Sequence, residues 1–166
     1  LSLVGSEMCI RDSDWAFRLG DDTAAARPDY NDADWRKLNL PHDWAVEGEF
    51  SRDNPSGTGG GALPGGIGWY RKTFIADKVD EGKRYRIDFD GVYMNSTVYI
   101  NGHELGTRPY GYISFSYDLT PYIKWGEKNV IAVRVDNAEQ PNSRWYSGCG
   151  IYRNVSVSYT HLRAHE

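Results

Sequence analysis

Between positions 69 and 157 the chain alternates short apolar and aromatic runs with turn-forming residues, and the runs repeat with the two-residue period of a β-strand. In Tyr85-Arg86-Ile87-Asp88-Phe89-Asp90 the three apolar side chains share one face and the charged ones the other, as in a sheet with one wet side. Trp69 to Phe74, Thr97 to Ile100, His103 to Gly106, Tyr112 to Tyr117, Asn129 to Val135 and Ile151 to Val157 read as further strands. Within the fifth of these, Ile131, Val133 and Val135 are expected to face the core. Asn101-Gly102 predicts a tight hairpin, because both residues accept positive φ angles. Upstream, residues 14–55 carry no period and are polar, punctuated by Trp15, Trp35 and Trp44. There Asn31 to Arg36 predicts a short helical turn, since Asn and Asp cap well. Short strands at this spacing, with no strong helix between them, predict an all-β fold with little helix: a β-sandwich of the jelly-roll kind.

A chain of 166 residues suits one domain with a single core. Its 6 Trp, 12 Tyr and 18 Gly reinforce strands and turns over helices. The net charge of −4 and the lack of a basic stripe argue against a nucleic-acid partner. No apolar run approaches the ~18 residues needed to cross a bilayer, so no membrane partner is expected. The glycine-rich stretch from Gly57 to Gly66 lacks the preceding strand, the Lys-Ser/Thr and the following helix of a phosphate cradle, and reads as a crossing loop. Cys9 and Cys149 stand far apart with no companion ligands, and His161 and His165, though spaced i,i+4, read as a chance pair in a tail. Neither a metal nor another cofactor is expected. Asn95-Ser96-Thr97 and Asn154-Val155-Ser156 match the glycosylation triplet, which is too short to carry weight. Residues 1–13 and 158–166 break with the body, are similar to translated sequencing-adapter DNA, and are set apart as non-native tails from a domain over 14–157.

The body offers no catalytic set of its own. Asp88 and Asp90 share a strand face, but Arg84 and Arg86 share it too. Neighbouring arginines lower a carboxyl pKa, whereas a proton donor near neutral pH needs a raised one. His42 and His103 lie in turn-rich stretches without a Gly-x-Ser-x-Gly elbow. His42 reads instead as a hydrogen-bonded structural residue beside Trp44. Catalytic residues: none.

A series of motifs in order resembles one family. Leu40-Pro41-His42-Asp43-Trp44, then Leu63 to Phe74, Phe89 to Tyr93, Val98 to Gly102, Gly111 to Phe115, Asn129 to Asn137 and Arg144 to Arg153 are similar to the first domain of family 2 glycoside hydrolases of the β-galactosidase kind. The resemblance implies a galactose-binding-like jelly roll, followed in the parent chain by an immunoglobulin-like sandwich and a catalytic (β/α)₈ barrel. Those domains and a carbohydrate are the partners it implies. Two barrel glutamates, about 5–5.5 Å apart for retention of configuration, would carry the hydrolysis, and neither lies in this chain.

The resemblance also implies sugar contacts from loops of this domain. It places an acidic contact at Asp136 with Asn137 beside it; a carboxylate accepts strong hydrogen bonds from sugar hydroxyls, but Asp-Asn is equally suited to a turn. Arg108 stands where some relatives present an asparagine, a departure that leaves the sugar open and would suit a uronic acid. Trp145 and Tyr146 offer faces for a sugar ring, though aromatic residues more often build a core or an interface. The expected function is therefore an accessory, sugar-contacting domain of a β-galactosidase-like enzyme. The alternatives are a freestanding carbohydrate-binding module and a β-glucuronidase or β-mannosidase parent. A periplasmic or secreted parent follows from the family alone, and the compartment stays open.

Overall fold

A computed structural model describes residues 7–10, 12–49, 51, 53, 65–139 and 148–160. They form ten strands: β1 (Glu7–Ile10), β2 (Trp15–Leu19), β3 (Arg36–Leu38), β4 (Gly66–Ile75), β5 (Arg84–Phe89), β6 (Ser96–Ile100), β7 (His103–Arg108), β8 (Phe115–Asp118), β9 (Lys128–Asn137) and β10 (Val155–Thr160). Three short 3₁₀ turns, at Thr23–Ala26, Lys78–Asp80 and Thr120–Tyr122, are the helical elements among these residues. One sheet has the order β1-β10-β5-β8 and the other β3-β2-β4-β9-β6-β7. Every strand pair is antiparallel. From β4 onward the chain passes repeatedly between the sheets, which is the jelly-roll habit anticipated from the strand spacing.

Alternation explains the core. Tyr85, Ile87 and Phe89 of β5 and Ile131, Val133 and Val135 of β9 point between the sheets and are fully buried, with Trp15, Tyr70, Val98 and Ile151. The opposite face of the six-stranded sheet is also covered at its centre. Ala16, Trp69 and Ala132 project there and meet Ala25 and Trp35 of the segment joining β2 to β3. Arg71 lies on this second face, only 2% exposed. Its guanidinium pairs with Asp32 at 2.8 Å and donates to the carbonyls of Ala25, Arg27 and Tyr30, so the segment is held to the sheet by a single buried fork.

The Asn101-Gly102 hairpin forms as expected, with φ of 49° and 83°. The Asn101 side chain turns inward and bonds Asn129, Tyr122 O and Val130 N, tying the hairpin to the start of β9 and to the 3₁₀ turn before it. At residues 31–36 a single turn forms and no longer helix follows: Asn31 Oδ1 accepts from Ala33 N, as the cap predicts, and Asp32 O accepts from Trp35 N. Two strand limits are corrected. β8 starts at Phe115 rather than Tyr112, and β10 at Val155 rather than Ile151. Strand pairing also runs past the 14–157 boundary at both ends: β1 pairs with β10 through Glu7↔Tyr159 and Met8↔Ser158. An open edge of β10 presents backbone donors and acceptors that any extended segment satisfies whatever its side chains.

Candidate functional site

The connections β5–β6, β7–β8 and β9–β10 gather at one end of the sandwich. Asp136 N donates to Met94 O at 3.1 Å, and Tyr93 and Gly150 exchange two backbone bonds of 3.0 Å. Gly111 lies so close under the Tyr93 ring that a Cβ there would overlap it, while the Tyr152 hydroxyl donates to Gly111 O. This packing leaves the tip of the β7–β8 connection outside, with Tyr110 and Tyr112 70% and 71% exposed and Ile113 half-exposed.

Asp136 and Asn137 close β9, and the two-residue period sends them to opposite faces. The Asp136 carboxylate, 30% exposed, lies on the outer face of the six-stranded sheet. Its Oδ1 accepts from Ala138 N at 3.1 Å and its Oδ2 lies 3.4 Å from Arg134 Nη1. Arg134 is itself fixed by two 2.9 Å bonds to Asp21, and that contact, opposed by burial and helped by Trp69 Nε1, lowers the Asp21 pKa. A carboxylate has about four lone-pair sites, so Asp136 retains acceptor capacity toward solvent. Asn137, by contrast, is 1% exposed and donates to Gly148 O and to Cys149 Sγ. Burial pushes the Cys149 thiol up to about 11, which leaves it without nucleophilic character at neutral pH. Arg108 ends β7 with its guanidinium over the Phe115 and Tyr117 rings. The structure thus brings Asp136 to an open surface and places Asn137 and Arg108 elsewhere. Trp145, Tyr146, His161 and His165 lie outside the described residues.

His42 is buried among Phe17, Tyr70 and Arg36. Arg36 Nη2 lies 2.8 Å from Nε2; since arginine only donates, Nε2 accepts and Nδ1 carries the proton toward the Tyr70 hydroxyl at 2.7 Å. Glu47 is held by Arg36 and stands 3.2 Å from the same Nε2. Burial lowers the His42 pKa below its ordinary 6.5, against the raising influence of Glu47. The unfolded chain therefore binds the proton more readily than the folded one, and stability falls as pH drops below about 6.5. We expect the thermal midpoint to fall between pH 7.5 and 5.5, and His42→Gln to flatten that dependence. Equal slopes for the two proteins would remove His42 from the account.

Two carboxylates of the exposed sheet face, Asp88 and Asp118, are spent on ion pairs. Arg86 reaches Asp88 at 2.6 Å and Arg84 reaches Asp118 at 3.4 Å. Among the described residues no His, Cys, Asp and Glu groups are arranged to hold a metal.

A cleft of about 250 Å³, which sequence reading missed, lies on the outer face of the six-stranded sheet beside Asp21, lined also by Asp22, Trp35 and Trp69. Its walls combine the run from Arg18 to Asp22 with Trp35 and Trp69, which lie far apart in sequence, so no local motif announces it.

Comparison with known proteins gives the family. Residues 62–161 match the sugar-binding domain of glycosyl hydrolases family 2. The β-galactosidase BoGH2A of Bacteroides ovatus is 75% identical over 148 residues, which are 89% of this chain and 17% of that protein. A β-glucuronidase of Formosa agariphila is 37% identical over 86% of this chain and 16% of its own length. The crystal structure of a β-glycosidase from Bacteroides vulgatus superposes with a TM-score of 0.89 at 50% identity, over 92% of this chain and 20% of that one. The chain thus spans less than a fifth of the length of these two curated relatives. With the two-sheet sandwich and the ordered motifs, these matches show that the chain belongs to the sugar-binding domain family of glycosyl hydrolases family 2.

Proposed function

We propose that the chain is the accessory domain of a β-glycosidase, with a β-galactosidase the first candidate, and that Asp136 contributes hydrogen bonds to a sugar bound beside the parent's catalytic domain. The observation that carries this reading is the end of β9. There a part-exposed carboxylate is fixed by Arg134 and by Ala138 N at the same end of the sandwich as the exposed Tyr110, Tyr112 and Ile113. An apolar patch beside a preorganised acceptor suits a surface that docks on the rest of a parent chain better than the free face of a module. Asn137 supports the loop from beneath through Gly148 and Cys149. Arg108 is the residue on which a uronic acid preference would rest, and β-glucuronidases stand among the relatives.

The test is Asp136→Ala in the complete parent enzyme. Loss of a charge-assisted bond to a sugar hydroxyl predicts a KM raised about tenfold or more with the fold intact. Unchanged KM and kcat would leave the domain with a purely structural part.

A further inference from the structure

We infer that Asp21 is a positioning residue for the Asp136 contact: it occupies the guanidinium fork of Arg134 and so keeps Asp136 open to a ligand. The inference rests on the contact proposed for Asp136 and gives a role to a residue far from it in sequence. Register places the parts together. Trp69 of β4 lies beside Arg134 of β9 and Ile67 beside Asp136, so Arg134 and Asp136 share the outer sheet face. After β2, Gly20 takes φ of +128° and donates to Ile67 O at 2.8 Å, a turn that delivers Asp21 over that face.

Two carboxylates compete there for one guanidinium. Asp21 takes a whole edge of it, with Nε donating to Oδ1 and Nη2 to Oδ2, each at 2.9 Å. Trp69 Nε1 donates to the same Oδ1 at 3.3 Å and steadies that carboxylate. Asp136 receives only the remaining nitrogen, Nη1, at 3.4 Å, beyond the usual span of an N–H···O bond. A planar fork favours two-point pairing with a carboxylate. Without the charge at position 21, Arg134 is free to turn its fork on Asp136 and spend the oxygens that a sugar hydroxyl would meet. Asp21 thus acts through Arg134 and sets how much of Asp136 is left for a ligand.

The experiment is steady-state kinetics of the complete parent enzyme on whichever chromogenic β-galactoside or β-glucuronide it turns over. Expected for Asp21→Asn is a KM raised about three- to tenfold with kcat held within about twofold. Adding Arg134→Met to Asp21→Asn should bring KM back toward the parent value, because the competing fork is gone. A merely structural tie is not repaired by removing its other half. In the Asp136→Ala background, Asp21→Asn should change KM by less than about twofold. On the chain itself, the Arg134 Nε–H signal in nitrogen–proton correlation spectra should shift with Asp21→Asn and hold its position in Asp136→Ala. That reading checks the fork even where a parent variant folds poorly. A KM unmoved by Asp21→Asn, while Asp136→Ala raises it, would overturn this inference and leave the Asp136 contact standing; a KM unmoved by Asp136→Ala would remove both. An Arg134 signal indifferent to Asp21→Asn would also overturn it.

Discussion

Replacing Arg71 with methionine is expected to cost about 3–5 kcal/mol, the range for removing one partner from a buried ion pair. The fork of Arg71 is the principal polar tie between the six-stranded sheet and the segment from Asp22 to Trp35, reaching Asp32 and three backbone carbonyls. Methionine fills much of the volume but leaves Asp32 and those carbonyls without their donor. In a domain of this size the loss corresponds to a fall in the thermal midpoint of roughly 10 °C. Arg71→Lys should recover little, because a single ammonium cannot span acceptors arranged for a planar guanidinium. Exposed arginines give the contrast: Arg86 pairs with Asp88 in solvent, and its removal should cost well under about 1 kcal/mol. A midpoint for Arg71→Met within about 2 °C of the parent protein would show that apolar packing alone holds the segment.

Gly150→Ala is expected to be comparably damaging for a different reason. Gly150 has φ of +121°, and a Cβ there would overlap the Tyr70 hydroxyl and approach His42 O at 3.0 Å. Backbone strain and overpacking act together, at about 4 kcal/mol. Tyr70 cannot easily retreat, being fully buried and bonded to His42. Tyr70→Phe in the Gly150→Ala background should restore part of the loss, since it removes the overlapping oxygen. Thermal melts of the two single variants and the double variant give the coupling. Additive costs would mean that the strain lies in the backbone alone.

Much of the fold could be read from the sequence because most strands border solvent on one face. β5 shows this most clearly, its Tyr85, Ile87 and Phe89 buried and its Arg84 and Arg86 exposed. β2 escaped notice because it is covered on both sides: Trp15 and Phe17 enter the main core while Ala16 packs under the covering segment, so no two-residue period is visible. β3 is too short to show one. The candidate site was legible only in part. The separation of Asp136 from Asn137 follows from strand geometry alone, and could have been drawn at once from the even and odd positions of β9. The burial of Arg71, and the cleft lined by Trp35 and Trp69, depend on a segment far upstream folding back on the sheet. No local pattern encodes that return.

The placement of the polar groups makes a coherent chemical picture. Asp21, Asp88 and Asp118 are paired with arginines, the buried His42 is neutral and bonded to Tyr70, and the buried Cys149 thiol is inert. The proposed role assigns glycoside hydrolysis to a neighbouring domain of the parent chain and none of it to this one. Hydrolysis of chromogenic β-galactosides and β-glucuronides, measured on the purified chain beside the complete parent enzyme, tests this most directly. Turnover by the parent with none by the chain is the predicted result; sustained release of chromophore by the chain on its own would contradict it.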